Sequence, residues 1–173
     1  MWRIWSKQFT EQIQIKEIKA ARLLILLSKW FKKSEPFDVT SIIFKKVLSR
    51  RLAVQALYQW QLNEQPIDKI IEEFKSSKLY TNIDAEYFAY LLTNIDSKFE
   101  ELKKMIEKAS NLSWGRIQPV EKGVILIGVL ELQSGILDPH ITINECVELS
   151  KHFGSEDGYK FINGVLDSIK SNL

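Results

Sequence analysis

The first glycine in the chain is Gly115. Before it come 114 residues in which no position has glycine's freedom to adopt positive φ, and tight reversals of the chain are costly without that freedom. The four prolines are scattered, at 36, 66, 119 and 139. No segment sustains a two-residue alternation bounded by turn chemistry. Such a chain is restricted to helices joined by short breaks, and the fold class it predicts is all-α.

Apolar spacing places the helices. A ragged apolar pattern over about 8–33 ends at Pro36, and a second helix runs from about Ile42 to Asn63. "PIDKIIEEFKSS" gives a third. The stretch from Asp84 to Ser110 has apolar residues at 87, 88, 91, 92, 95, 99, 102 and 106 and reads as one long helix. Asn111 to Arg116 is a break. Pro119 suits the first turn of the next helix, because its missing N–H would have no partner there. That helix, reaching about Ser134, is apolar almost all round and is expected at the buried centre. Asn144 to Phe153 and Asp157 to Ser171 complete the set.

A chain of 173 residues that is 45% apolar and 27% charged is large enough for one domain with its own core. Its formal charge of +2 conceals an asymmetry. Residues 1–51 carry 12 Lys/Arg against 4 Asp/Glu, a formal +8, and residues 52–173 carry 12 against 18, a formal −6. A basic arm on an acidic body fits a polyanion partner. Charge alone fits a solubilised N-terminal segment equally well. The one cysteine, Cys146, excludes an internal disulfide and fits a reducing compartment, so a cytoplasmic location is expected. The apolar run Leu23–Leu27 is far short of the roughly 20 residues of a bilayer span, and no membrane partner is expected.

No catalytic or metal-binding pattern emerges. Cys146 and His152 are six residues apart and fall on different helix faces, while His140 stands alone beside a proline. Gly123 and Gly128 are spaced as in a phosphate loop but lie inside a helix with no Gly-Lys-Ser/Thr after them, where close helix contact explains them better. Cys146 next to Glu145 is a poor nucleophile. Neither an enzyme nor a cofactor site is expected.

"SRRLAVQALYQWQ" (49–61) carries more information. At 100° per residue Ala53, Ala56, Leu57 and Trp60 form a core stripe, and Arg51, Gln55, Tyr58 and Gln59 fall on the opposite side, with Lys45 and Lys46 upstream. Cations neutralise phosphates, amides bond base edges and a tyrosine ring stacks on an unpaired base. Such a face suits single-stranded RNA; the alternative is a solvated helix end.

Three blocks resemble the NusB family of bacterial transcription antitermination factors: "RRLAVQALYQWQL", "INECVELSKHFG" (143–154) and "EDGYKFINGVLD" (156–167). "PVEKGVILIGVLEL" is similar to that family's central helix. The likeness covers residues 45–173 and leaves 1–44 as an N-terminal helical extension outside it. It implies a compact all-helical domain of two packed bundles that binds the boxA element of ribosomal RNA transcripts together with NusE, a small-subunit ribosomal protein. It also implies a place beside NusA and NusG on RNA polymerase, supporting processive transcription. By position the resemblance assigns RNA contact to Lys45, Lys46, Arg50, Arg51, Gln55 and Tyr58 near the N-terminus, and to Tyr159, Lys160 and Phe161 near the C-terminus. Phe161 reads equally well as a core residue. Asp157 is assigned to modulation of RNA binding and Glu121 to the NusE contact. Asn163-Gly164 is expected to be structural, a close helix approach with a local hydrogen bond.

Two departures stand out. Val47 and Leu48 dilute a basic motif that is usually denser in arginine, which keeps open a second reading, a protein-interaction module whose RNA binding is weakened or lost. Leu126 and Leu130 replace Arg and Tyr of the central helix and are expected to alter the partner surface. NusB-like domains also occur in ribosomal RNA cytosine methyltransferases, but no α/β domain to bind S-adenosylmethionine follows before Leu173. Only Met1 and Met105 occur, so the family-like region has no methionine of its own to start from. One expectation is initiation at a non-AUG codon near Val39 to Leu48. Its rival is a real amphipathic appendage that packs on the domain, meets a membrane surface or adds basic charge for RNA.

Overall fold

The structure, a computed structural model, describes residues 39–63 and 65–173, with the side chains of 39–41 left aside. The helix expected over 8–33 lies outside them. Seven α-helices make up the described part: α1 (Val39–Asn63), α2 (Ile67–Lys75), α3 (Ala85–Ser97), α4 (Phe99–Ser110), α5 (Pro119–Ser134), α6 (Pro139–Phe153) and α7 (Gly158–Lys170). Short 3₁₀ turns at Lys78–Asn82 and Trp114–Arg116 join some of them, and no strand occurs among the described residues. No helix among them is long and apolar enough to cross a membrane.

Helix α5 is the hub. From Gly123 to Leu132 every residue is buried, because α4, α6, α7 and α3 all pack against it. The α4–α7 helices form one bundle around it. Helices α1, α2 and α3 form the other, which joins the first through α3–α5 packing and through α1, whose Leu57 and Val54 lie against Gly123. A Cβ on Gly128 would sit 2.8 Å from Leu166 Cδ1 and 2.9 Å from Cys146 Sγ, so the absence of a side chain lets three helices meet. Gly123 faces only ordinary contact distances, 3.6 Å to Leu57 Cβ. The enclosure of α5 corrects one expectation: Leu126 and Leu130 are fully buried in the core and do not form a partner surface.

The long helix expected over 84–110 is two helices that turn at Lys98 (φ −108°, ψ 13°). The apolar spacing runs through the turn unbroken, and for that reason periodicity does not reveal it. The turn delivers the Phe99 ring edge-on to Trp60 (centroids 5.1 Å) and near Trp114 (5.5 Å). Helix α6 starts five residues earlier than expected. The Asp138 carboxylate accepts from His140 N–H at 2.8 Å and Pro139 occupies the first turn, an N-cap signal present in the sequence. Left-handed residues end two helices, Asn111 (φ 53°) after α4 and Gly135 (φ 61°) after α5.

Candidate nucleic-acid interface

The N-terminal half of α1 is fixed to the start of α3 by Ser49. Its Oγ accepts from Asp84 N–H at 3.0 Å and lies 2.9 Å from the Lys45 carbonyl. Asp84 in turn caps α3 by accepting from Tyr87 N–H at 3.0 Å. These contacts place Tyr87 beside the basic end of α1: Lys46 Nζ lies 5.0 Å and Arg50 Cζ 5.4 Å from its ring centroid. Tyr90 stacks on Tyr87 with centroids 6.4 Å apart.

Arg50 departs from the expected outward arginine pair. It is 3% exposed; its Nε donates to Glu131 Oε1 at 2.7 Å and its Nη1 lies 3.5 Å from Glu145 Oε2. The Tyr87 hydroxyl donates to the same Glu131 oxygen. Burial by itself would lower the Arg50 pKa, but Glu131, with Tyr87 and Glu145 around it, more than offsets that and leaves it raised. Burial, reinforced by Glu131, pushes the Tyr87 hydroxyl well above its ordinary value. This cation is committed inward, so Arg50 holds the surface up and does not present charge on it. Gln59, expected on the outer face, is also buried, and its Nε2 donates to Glu73 Oε2 at 2.6 Å.

What α1 does present is exposed Lys45 and half-buried Lys46 and Arg51, with half-buried Gln55 and Tyr58 following along the helix. The Arg51 charge acts on Glu145 of α6. Helix α6 then leads to the second group. Lys151 Nζ lies 5.6 Å and Lys160 Nζ 5.8 Å from the Tyr159 ring centroid, so two cations flank one half-buried aromatic face. Exposed Asp157 pairs with Lys160 at 2.8 Å. Phe161 is half-buried and packs against the core. Helix α6 therefore borders both sets of predicted residues, reaching Arg50 through Glu145 and Tyr159 through Lys151.

Glu121 does not offer its carboxylate outward as expected of a partner contact. It is 4% exposed, and its Oε1 accepts from Ser155 N–H (3.0 Å) and Ser155 Oγ (2.8 Å). Its carboxylate turns instead onto the loop between α6 and α7. Asn163-Gly164 is also only partly as expected. Asn163 Nδ2 does donate to Asp167 Oδ2 at 3.0 Å, but Gly164 is exposed and, among the described residues, a Cβ there would meet nothing within 4 Å. Tyr87, Glu131 and Glu145 were missed by sequence reasoning. Glu131 did carry a signal, since a carboxylate inside an otherwise apolar helix requires a buried cation. Among the described residues no three His, Cys, Asp or Glu side chains are placed to share a metal ion. Cations flanking aromatic faces can neutralise phosphates and stack bases.

Comparison with known proteins agrees with this chemistry. The family model described as the NusB family matches residues 47–171. A protein of Hydrogenovibrio crunogenus named transcription antitermination protein NusB is 37% identical over 126 residues, covering 72% of this chain and 78% of that protein. Its namesake in Shewanella loihica is 38% identical over 122 residues, covering 70% and 91%. Among solved structures, the crystal structure of antitermination factors NusB and NusE in complex with dsRNA superposes with a TM-score of 0.66 at 29% identity, covering 73% of this chain and 96% of the matched one. The solution structure of NusB from Aquifex aeolicus gives 0.63 at 30% identity, covering 72% and 86%.

Proposed function

The chain belongs to the NusB family, and from that premise we propose that it is a transcription antitermination factor that binds boxA RNA of ribosomal RNA transcripts together with NusE. NusA, NusG and RNA polymerase are its further partners in the assembly, and the protein acts in the cytoplasm without a catalytic step or a cofactor. The observation that carries this reading is the pair of cation-flanked aromatic faces bordered by α6, Lys46 at Tyr87 and Lys151 with Lys160 at Tyr159. In this reading phosphates meet Lys45, Lys46, Arg51 and Lys160, an unpaired base stacks on Tyr159 or Tyr58, and Gln55 bonds a base edge. Arg50 supports that surface from beneath through Glu131. Support also comes from the likeness to a NusB bound to NusE and RNA.

The deciding experiment is fluorescence anisotropy with a boxA-containing RNA and a scrambled control, with and without NusE, at two salt concentrations. Expected is preferential boxA binding that strengthens with NusE and weakens with salt. Equal, weak binding to both RNAs, unaffected by NusE, overturns the reading in favour of a protein-interaction module without RNA recognition.

A further inference from the structure

We infer that Glu121 is a positioning residue for RNA binding, anchoring through Ser155 the loop from which the cation-flanked Tyr159 rises. The inference rests on the RNA-binding reading above and adds to it a residue that reaches the RNA surface only through others. Glu121 lies in the first turn of α5, while Ser155 lies in the loop between α6 and α7, 34 residues further on. One carboxylate oxygen accepts both the Ser155 backbone N–H and its hydroxyl, which fixes the position and the orientation of that residue.

Ser155 then sets the start of α7, since its carbonyl accepts from Gly158 N–H at 3.0 Å. Asp157 stands at the N-cap without a side-chain cap bond, and its carboxylate goes to Lys160 instead. The Glu121 carboxylate also lies next to the first turn of α7: a Cβ on Gly158 would lie 2.7 Å from Glu121 Oε1. A carboxylate at a helix N-terminus is favourably placed against the helix dipole. Two glycines make room for this arrangement. A Cβ on Gly154 would meet the Ser150 carbonyl at 2.8 Å, so a side chain at either place would push the loop off its anchor. Tyr159 and Lys160 follow within two residues of Gly158, and displacement of the loop moves the aromatic face away from Lys151.

The test compares wild type with Glu121→Ala, Glu121→Gln and Ser155→Ala by peptide-resolved hydrogen exchange across 154–161, boxA RNA affinity without any protein partner, and thermal melting. Glu121→Ala is expected to accelerate exchange in that segment and weaken RNA binding about tenfold. Glu121→Gln keeps an accepting oxygen and is expected to restore both. Ser155→Ala keeps the backbone bond and is expected to fall between them. Should Glu121→Ala fail to fold, the contrast of Ser155→Ala with Glu121→Gln decides. Unchanged exchange at 154–161 in Glu121→Ala, or in Ser155→Ala where that contrast decides, overturns the anchoring. Faster exchange with RNA affinity intact, where Tyr159→Ala weakens binding, overturns the positioning role. Intact affinity in both Tyr159→Ala and Lys160→Ala instead overturns the RNA surface, and the positioning role with it, whatever the exchange data show.

Discussion

Arg50 and Glu131, 81 residues apart in sequence, form an ion pair of 2.7 Å in which each is 3% exposed. The pair ties the basic end of α1 to the last turns of the central helix. Glu131 Oε1 is shared with the Tyr87 hydroxyl, whereas Oε2 is buried without a hydrogen-bond partner among the described residues, so the carboxylate depends on its two donors. A buried pair is costly to break because the remaining charge stays desolvated.

Arg50 and Arg51 should therefore separate in mutation. Arg50→Ala is expected to lose about 3–5 kcal/mol of stability by leaving Glu131 uncompensated. Arg51→Ala, at a half-buried side chain, is expected to cost less than Arg50→Ala. It should weaken boxA binding and reduce the slope of log affinity against log salt by about 0.7. Urea denaturation and anisotropy at several salt concentrations measure the two effects. A stability loss in Arg51→Ala matching that in Arg50→Ala would contradict the assignment of one to the interior and the other to the surface.

Glu145 predicts a pH signature. Burial raises its pKa; Arg50 and Arg51 oppose this, and Glu131 and Glu148 add to it, with a net rise. The native state therefore holds this proton to higher pH than the unfolded chain, whose carboxyl titrates near about 4.3. The associated stabilisation is complete below that pH and is lost as pH rises through the raised native value. Relative to Glu145→Gln, the wild type should thus lose stability as pH climbs through this window and then run parallel to it. Denaturation of both proteins between pH 4 and pH 8 measures the difference, and an opposite trend would show that the attraction of Arg50 outweighs burial.

The fold was legible where a single local cue decides an element. The missing glycines pointed to helices, Pro119 marked the start of α5, and the all-round apolar pattern put that helix at the centre. Asp138-Pro139 carried an equally clear start signal that apolar spacing alone overlooked. The turn at Lys98 left no trace, because Phe99 keeps helical register while its ring is redirected towards Trp60 and Trp114. At the candidate site, residue type was legible and direction was not. Helical projection put Arg51 outside, but whether Arg50 turned inward depended on Glu131, which no local pattern connects to it. Glu121 shows the same limit: its position matched a partner contact, while its burial follows from a loop 34 residues away.

Two glycines with opposite surroundings give a paired prediction. Gly128→Ala would drive a Cβ against Leu166 and Cys146 at 2.8 and 2.9 Å and should cost about 1–3 kcal/mol. Gly164→Ala adds its Cβ in open space inside a helix and should gain about 0.5–1 kcal/mol. Melting temperatures of the two variants should therefore move in opposite directions. A Gly164→Ala protein that melts higher but binds RNA or NusE less well would show that a partner approaches this bare stretch of α7.

Asp157 and Lys160 supply the last prediction. Their 2.8 Å ion pair is well exposed, with side chains 79% and 65% accessible, so it contributes little to stability. Its consequence is electrostatic: the carboxylate neutralises one of the two cations that flank Tyr159. Asp157→Asn removes that negative charge from the path of an approaching phosphate and leaves Lys160 free to pair with it. RNA affinity should rise several-fold, with a steeper salt dependence, since one more cation is then available. The double variant Asp157→Asn/Lys160→Ala should lose the gain, because the freed lysine is its source. Equal affinity of Asp157→Asn and wild type at low salt, measured by anisotropy, would place Lys160 outside the RNA path.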